Sequence, residues 1–125
     1  MTQKYISSKI VTAWEAEKDG EPGYAVKYQD GYTSWSPKAI FESSHVAMGH
    51  TDTLPGWQER IVGEYVQLQD RIKKLSAYLE TKPEIPEVAV DLLEEQLDHM
   101  LKYLEVLHLR LAVHGVLQVW TEPKS

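Results

Sequence analysis

Cysteine is absent from this 125-residue chain, which excludes disulfides, thiolate metal sites and thiol nucleophiles. Phenylalanine is almost absent. One Phe stands against four Trp and seven Tyr, a balance that favours rings with a polar tip, suited to interfaces and to base-like ligands. Positive charge is also scarce: 13 Lys and Arg against 19 Asp and Glu leave a formal charge of −6. A polymeric nucleic acid is held by a strongly basic face, so that partner is excluded. A small anion needs only a few local cations and remains a candidate. No apolar run approaches the roughly 18 to 20 residues of a membrane span, and no charged-then-apolar leader is present. The expectation is a soluble, intracellular protein.

Catalytic and metal-binding signatures are missing as well. There is no nucleophile elbow, glycine-rich phosphate loop or zinc-type histidine pair. Glu105 and His108 have the Glu-x-x-His spacing of di-iron bundles, but such a site needs a second copy of the motif and two further inward carboxylates. Helices carry pairs of this kind far more often as solvated or salt-bridged neighbours. His45 and His50 are isolated loop histidines, a class more often solvated than metal-bound. No enzyme activity, metal or cofactor is expected.

What is present divides into two patterns, and 42% apolar residues are enough for a folded core. Residues 5–17 are rich in β-branched and aromatic types and partly alternate, which predicts a strand. Asp19-Gly20 and Pro22-Gly23 stop it with turn chemistry. Tyr24 to Tyr28 alternates again, and Asp30-Gly31 turns it into Tyr32-Thr33-Ser34-Trp35. Three antiparallel strands result. Ser36-Pro37 then predicts an N-cap followed by proline at the first helical position, opening a short helix through Glu42 that covers one face of the sheet.

From Trp57 the period becomes helical. Ile61, Tyr65, Leu68, Ile72, Leu75 and Leu79 recur at three and four until Thr81-Lys82-Pro83 ends the run. A second helix, about Glu87 to His114, carries the seam Val90, Leu93, Leu97, Met100, Leu104, Leu107 and Leu111 and stops at Gly115. Two helices joined by a short loop lie antiparallel. Leu92, Leu101, Val106, Leu109 and Val113 fall outside the seam, as do Val62 and Val66 on the first helix. Each buried side chain of this kind contributes roughly 1.5 to 3 kcal/mol, so self-association, at least into a four-helix dimer, is expected to cover them. Val116 to Trp120 alternates and predicts a terminal strand. The expected organisation is α+β: a β module over 1–45, a linker over 46–56, a helical hairpin over 57–114, and a C-terminal strand and tail over 115–125, in an oligomer.

Beside the seam runs a mixed stripe of Gln96, His99, Tyr103, Arg110 and His114. At about 100° per residue Tyr103 and Arg110 project within about 20° of each other, so one face offers an aromatic ring, a permanent cation and an imidazole. That set suits a nucleotide, with a stacked base and phosphates held by charge-assisted hydrogen bonds. It suits better still the polar rim of an oligomer interface, where Tyr and Arg are enriched. Spacing alone leaves both open.

Residues 23–42 resemble a small module recurrent at the start of phage proteins. Trp57-Gln-Glu-Arg-Ile-Val-Gly-Glu, Asp70-Arg-Ile-Lys-Lys-Leu, Leu92-Leu-Glu-Glu-Gln-Leu-Asp-His-Met-Leu-Lys-Tyr and Leu107-His-Leu-Arg-Leu resemble the hairpin shared by two phage counter-defence families: the Thoeris anti-defence protein of the first type and the second anti-CBASS protein. The combination of β module and hairpin points to the anti-Thoeris branch. The resemblance implies a sponge in the cytoplasm of an infected bacterial host, one that withholds a TIR-generated glyco-cyclic ADP-ribose from its effector without cleaving it. Related sponges also take cyclic di- and trinucleotides and assemble as dimers or as hexamers built from dimers. By the same resemblance Arg110 faces phosphate, His114 follows it one turn on as a weaker cation than a guanidinium at neutral pH, and Tyr103 lies beside them. Trp57 and Arg60 stand at the start of the first helix near a neighbouring subunit's pocket. Val11 in the first strand and Ile85 between the helices complete the implied ligand-binding set. The competing expectation is a phage structural or adaptor protein whose hairpin mediates protein contacts.

Overall fold

Two glycine turns shape the first part of the chain. In a computed structural model describing residues 1–123, Lys18 and Glu21 exchange backbone hydrogen bonds at 3.0 and 2.9 Å around Asp19 (φ +52°) and Gly20 (φ +80°). Positive φ at both central positions is the hairpin turn whose twist matches that of its strands. Gly31 (φ +92°) ends the three-residue turn that follows, closed by hydrogen bonds between Tyr28 and Tyr32 and between Gly31 and Tyr28. The strands are β1 (Thr12–Glu15), β2 (Gly23–Lys27) and β3 (Thr33–Pro37), antiparallel in the order β1-β2-β3. β1 is much shorter than the expected 5–17, for a geometric reason. Its partner β2 ends at Lys27, paired with Thr12, and nothing remains for residues 5–11 to pair with. Val11 therefore lies one residue ahead of the strand.

Helix α1 (Lys38–Ser44) covers the face bearing Tyr24 and Val26: Phe41 stacks on Tyr24 at 4.4 Å and Val26 is buried. Pro37, not Ser36, takes the N-cap position, and no side chain caps the helix. On the opposite face Trp35 lies flat. Its Nε1–H donates to the Ala16 carbonyl at 2.7 Å, and a Cβ on Gly23 would stand 2.4 Å from its ring and from the Ser36 carbonyl oxygen. Gly23→Ala is expected to lower the stability of this unit by about 1 to 3 kcal/mol through overpacking, measured as faster amide exchange at Ala25 and Val26.

Met1–His45 and Val46–Ser125 are separate compact units. The second is built on α2 (Gly56–Glu80) and α3 (Glu87–Val113), so the chain is α+β. Towards its C-terminal end the seam of α3 packs within the chain. Its partner is α2 of the same chain: Leu107 and Leu111 are fully buried with Val62 of α2 in one cluster. The predicted terminal strand is absent. Gly115 adopts a left-handed conformation (φ +71°) after the last turn of α3, and Val116–Gln118 form a 3-10 turn. The reason is periodicity. Val116 and Trp120 are buried while Leu117 and Val119 are exposed, a spacing of four that suits a helical turn folded back on the hairpin, whereas a strand would bury alternate residues. Residues 124 and 125 of the expected tail lie outside the described residues.

That fold-back covers Val62 and Val66, which were expected to need a second subunit. Trp120 packs edge-on against Tyr65 at 6.2 Å and donates its Nε1–H to the Met48 carbonyl at 2.7 Å. Residues 46–56 accordingly lie against the hairpin core. Met48 and Leu54 pack on it, and buried Thr51 donates to Glu59 at 2.6 Å. Burial and a hydrogen bond to Glu122 push the Tyr65 hydroxyl up to about 12. The unfolded chain releases that proton near pH 10, so the stabilisation is complete below pH 10 and is lost as pH rises from 10 through 12. Denaturation midpoints are expected to fall over that range, and Tyr65→Phe should flatten the fall.

Candidate functional site

Helical periodicity draws two stripes along one flank of the hairpin. Trp57, Arg60 and Glu64 repeat at three and four on α2; Tyr103 and Arg110 stand seven apart on α3, and His114, four further on, is its C-cap. Two contacts tie the stripes together. At the open end the Trp57 and His114 rings meet edge to face, centroids 4.7 Å apart. Further in, the Tyr103 hydroxyl donates to the Glu64 carboxylate. Both arginines fall between these contacts, within about 10 Å of helix length on α2.

The electrostatics favour an anion between the two contacts. The ion pairs of the described residues are Lys74–Asp70 and Lys102–Asp98, with His99 lying 3.6 Å from Glu95, each within one helix. Neither Arg60 nor Arg110 takes part, although each presents five N–H donors in a fixed fork. Arg60 bends back along α2, its Nη1 3.5 Å from where a Cβ on Gly56 would stand. Arg110 lies near enough to Tyr103 to favour its ionised form, yet the hydrogen bond to Glu64 outweighs it, with burial and the Glu64 charge acting in the same sense, and the Tyr103 pKa is raised. Tyr103 thus remains a hydroxyl donor at neutral pH. Trp57 is 45% exposed and Tyr103 44% exposed, so each keeps free ring surface for stacking.

Five of the seven residues singled out in the sequence therefore share this flank: Trp57, Arg60, Tyr103, Arg110 and His114. Ile85 does not. It is half-buried in the connection between α2 and α3, a full α3 length of about 40 Å from the His114 end. Val11 belongs to the other unit. The lower half of the mixed stripe is also set apart, because Gln96 donates to Met100 and His99 approaches Glu95, both one turn away on α3 itself. Glu64 was not singled out by sequence reasoning. Its position four residues after Arg60 and seven after Trp57 was the available signal.

Other candidate chemistry is thinner. A shallow cleft of about 330 Å³ in the β unit is lined by Glu15, Ala16, Glu17, Pro22, Gly23 and Lys38, a set in which acidic and neutral groups surround one lysine. Glu105 and His108 are both exposed and form no ion pair with each other. Among the described residues no group of three or more His, Cys, Asp or Glu could hold a metal ion, and no helix is long and apolar enough to cross a membrane.

The outward face of α3 is apolar and unpartnered: Leu92, Val106, Leu109 and Val113 are at least half exposed. Compared with known proteins, residues 55–113 match a family model described as Sequestin. The matched segment, just under half of the chain, runs from the start of α2 to the last residue of α3 and contains Trp57, Arg60, Glu64, Tyr103 and Arg110. No curated protein and no solved structure matches the chain.

Proposed function

We propose that the chain belongs with the sequestering proteins its hairpin resembles, and that it binds an immune signalling nucleotide and withholds it without cleavage. The observation that carries this is the pair of arginines that take no part in the ion pairs of the described residues, set between an exposed tryptophan and a tyrosine on the segment matched by the Sequestin model. The ligand we assign is the glyco-cyclic ADP-ribose of Thoeris signalling, with cyclic di- and trinucleotides of CBASS as further cargo. The protein would then be a phage anti-defence factor acting in the cytoplasm of the infected bacterium.

Each guanidinium offers charge-assisted hydrogen bonds to phosphate oxygens, and Trp57 offers a face for a base. Sequestration works by mass action and needs a dissociation constant near nanomolar, about −12 kcal/mol. An open flank on one chain falls short of that, since ligand sites usually bury most of the ligand surface. The apolar outer face of α3 supports a second copy as the remaining wall, within a dimer or a hexamer built as a trimer of dimers.

Binding without turnover is tested by depletion and recovery. The protein is incubated with glyco-cyclic ADP-ribose, free nucleotide is measured, and the mixture is then heat-denatured and chromatographed. Loss of free nucleotide followed by full recovery of the intact molecule is the expected result. Recovery of an altered nucleotide would make the protein an enzyme, and no depletion of this or any cyclic nucleotide would favour an adaptor role.

A further inference from the structure

The stripe that carries Arg60 ends on a carboxylate. Glu64 stands one turn beyond Arg60, accepts the Tyr103 hydroxyl and takes no part in the ion pairs of the described residues. An ionised carboxylate offers about four lone-pair sites and no donor, so one hydrogen bond leaves most of its accepting capacity free at an exposed position. This is the wrong group to meet a second phosphate, because like charges brought together raise each other's free energy. It is the right group to meet sugar hydroxyls, the role an acidic residue plays toward ribose in dinucleotide sites.

From the open end inward the flank thus presents an aromatic face, two guanidiniums, then an acceptor beside a phenol. A ligand matching that order carries a base, then phosphate, then a sugar on the far side of the phosphate. Resting on the sequestering function proposed above, we infer that Glu64 is a specificity determinant. It selects nucleotides whose phosphate continues into a second sugar over nucleotides that end in a phosphate.

ADP-ribose and ADP make the comparison, since they are identical up to the diphosphate and differ in whether a second ribose follows. Calorimetric titration of the full chain is expected to show tenfold or greater preference for ADP-ribose. Glu64→Gln retains a carbonyl oxygen for Tyr103 and removes the charge. It should weaken ADP-ribose, strengthen ADP and bring the ratio close to one, with a melting curve confirming that the variant is folded. Equal weakening of both nucleotides would reduce Glu64 to a strut between the helices and overturn the inference, as would equal affinity of the wild-type chain for both. Binding of glyco-cyclic ADP-ribose with no binding of ADP-ribose would overturn it while leaving sequestration standing; binding of none of the three would remove both.

Discussion

Replacing Arg60 and Arg110 together by alanine is expected to abolish sequestration while leaving the hairpin folded. Each arginine lies on the exposed flank and takes no part in the ion pairs of the described residues, so the folded chain loses no such pair when either is removed. Surface substitutions of this kind usually change stability by less than about 0.5 kcal/mol. The ligand loses far more. A hydrogen bond to a charged group contributes about 1.5 to 3 kcal/mol, so Arg110→Ala alone should weaken binding roughly 10- to 150-fold. The two sites share one ligand, and their effects need not add. Even the lower sum, about 3 kcal/mol, removes more than two orders of magnitude. Titration calorimetry with glyco-cyclic ADP-ribose measures the loss, and an unchanged melting temperature separates it from unfolding.

The second large effect is on the fold. Trp120 is buried at 3% exposure, packs on Tyr65, and holds Met48 through its indole nitrogen. Truncating a buried tryptophan to alanine costs about 3 to 5 kcal/mol, a large share of the 5 to 15 kcal/mol that holds a typical domain together. For a unit of this size each kcal/mol corresponds to roughly 4 to 8 °C in melting temperature. Trp120→Ala should therefore lower the melting temperature of the hairpin unit by more than about 12 °C. Trp120→Phe keeps much of the apolar contact and loses the hydrogen bond, so its cost should be smaller. A melting temperature unaffected by Trp120→Ala would mean that the fold-back does not secure the hairpin core.

These two sites differ in how far the sequence revealed them. The α3 half of the stripe was legible because helical period is a local property: spacing placed Arg110 with Tyr103 and His114, whereas Trp57 and Arg60 were reached only through the resemblance of the motif that opens the first helix. The fold-back was not. Val116 to Trp120 is too short for two-residue and four-residue periods to be told apart, and the left-handed Gly115 that redirects the chain also fits a simple helix end. The role of residues 46–56 was hidden for a related reason. A loop held by one buried hydroxyl and one tryptophan nitrogen has no periodic signature.

The seam illustrates a different limit. Its heptad spacing correctly marked a helix that packs lengthwise on another, but spacing cannot say whether the partner is in the same chain. Here it is α2, and the surface left over is the outer face of α3 around Val106, Leu109 and Val113. Glu64 was overlooked because a lone carboxylate on a solvated helix is ordinarily without consequence. Its meaning comes from Tyr103, 39 positions away.

The central claim is that the nucleotide sits on the flank between Trp57 and Tyr103. Four tryptophans give four indole N–H resonances, and they report from different places: Trp14 and Trp35 from the sheet, Trp120 from the hairpin core and Trp57 from the flank. Titrating the labelled protein with glyco-cyclic ADP-ribose should shift the Trp57 resonance strongly and leave Trp14 and Trp35 in place. Saturable binding that moves Trp14 or Trp35 while Trp57 stays fixed would place the ligand on the β unit and contradict the account.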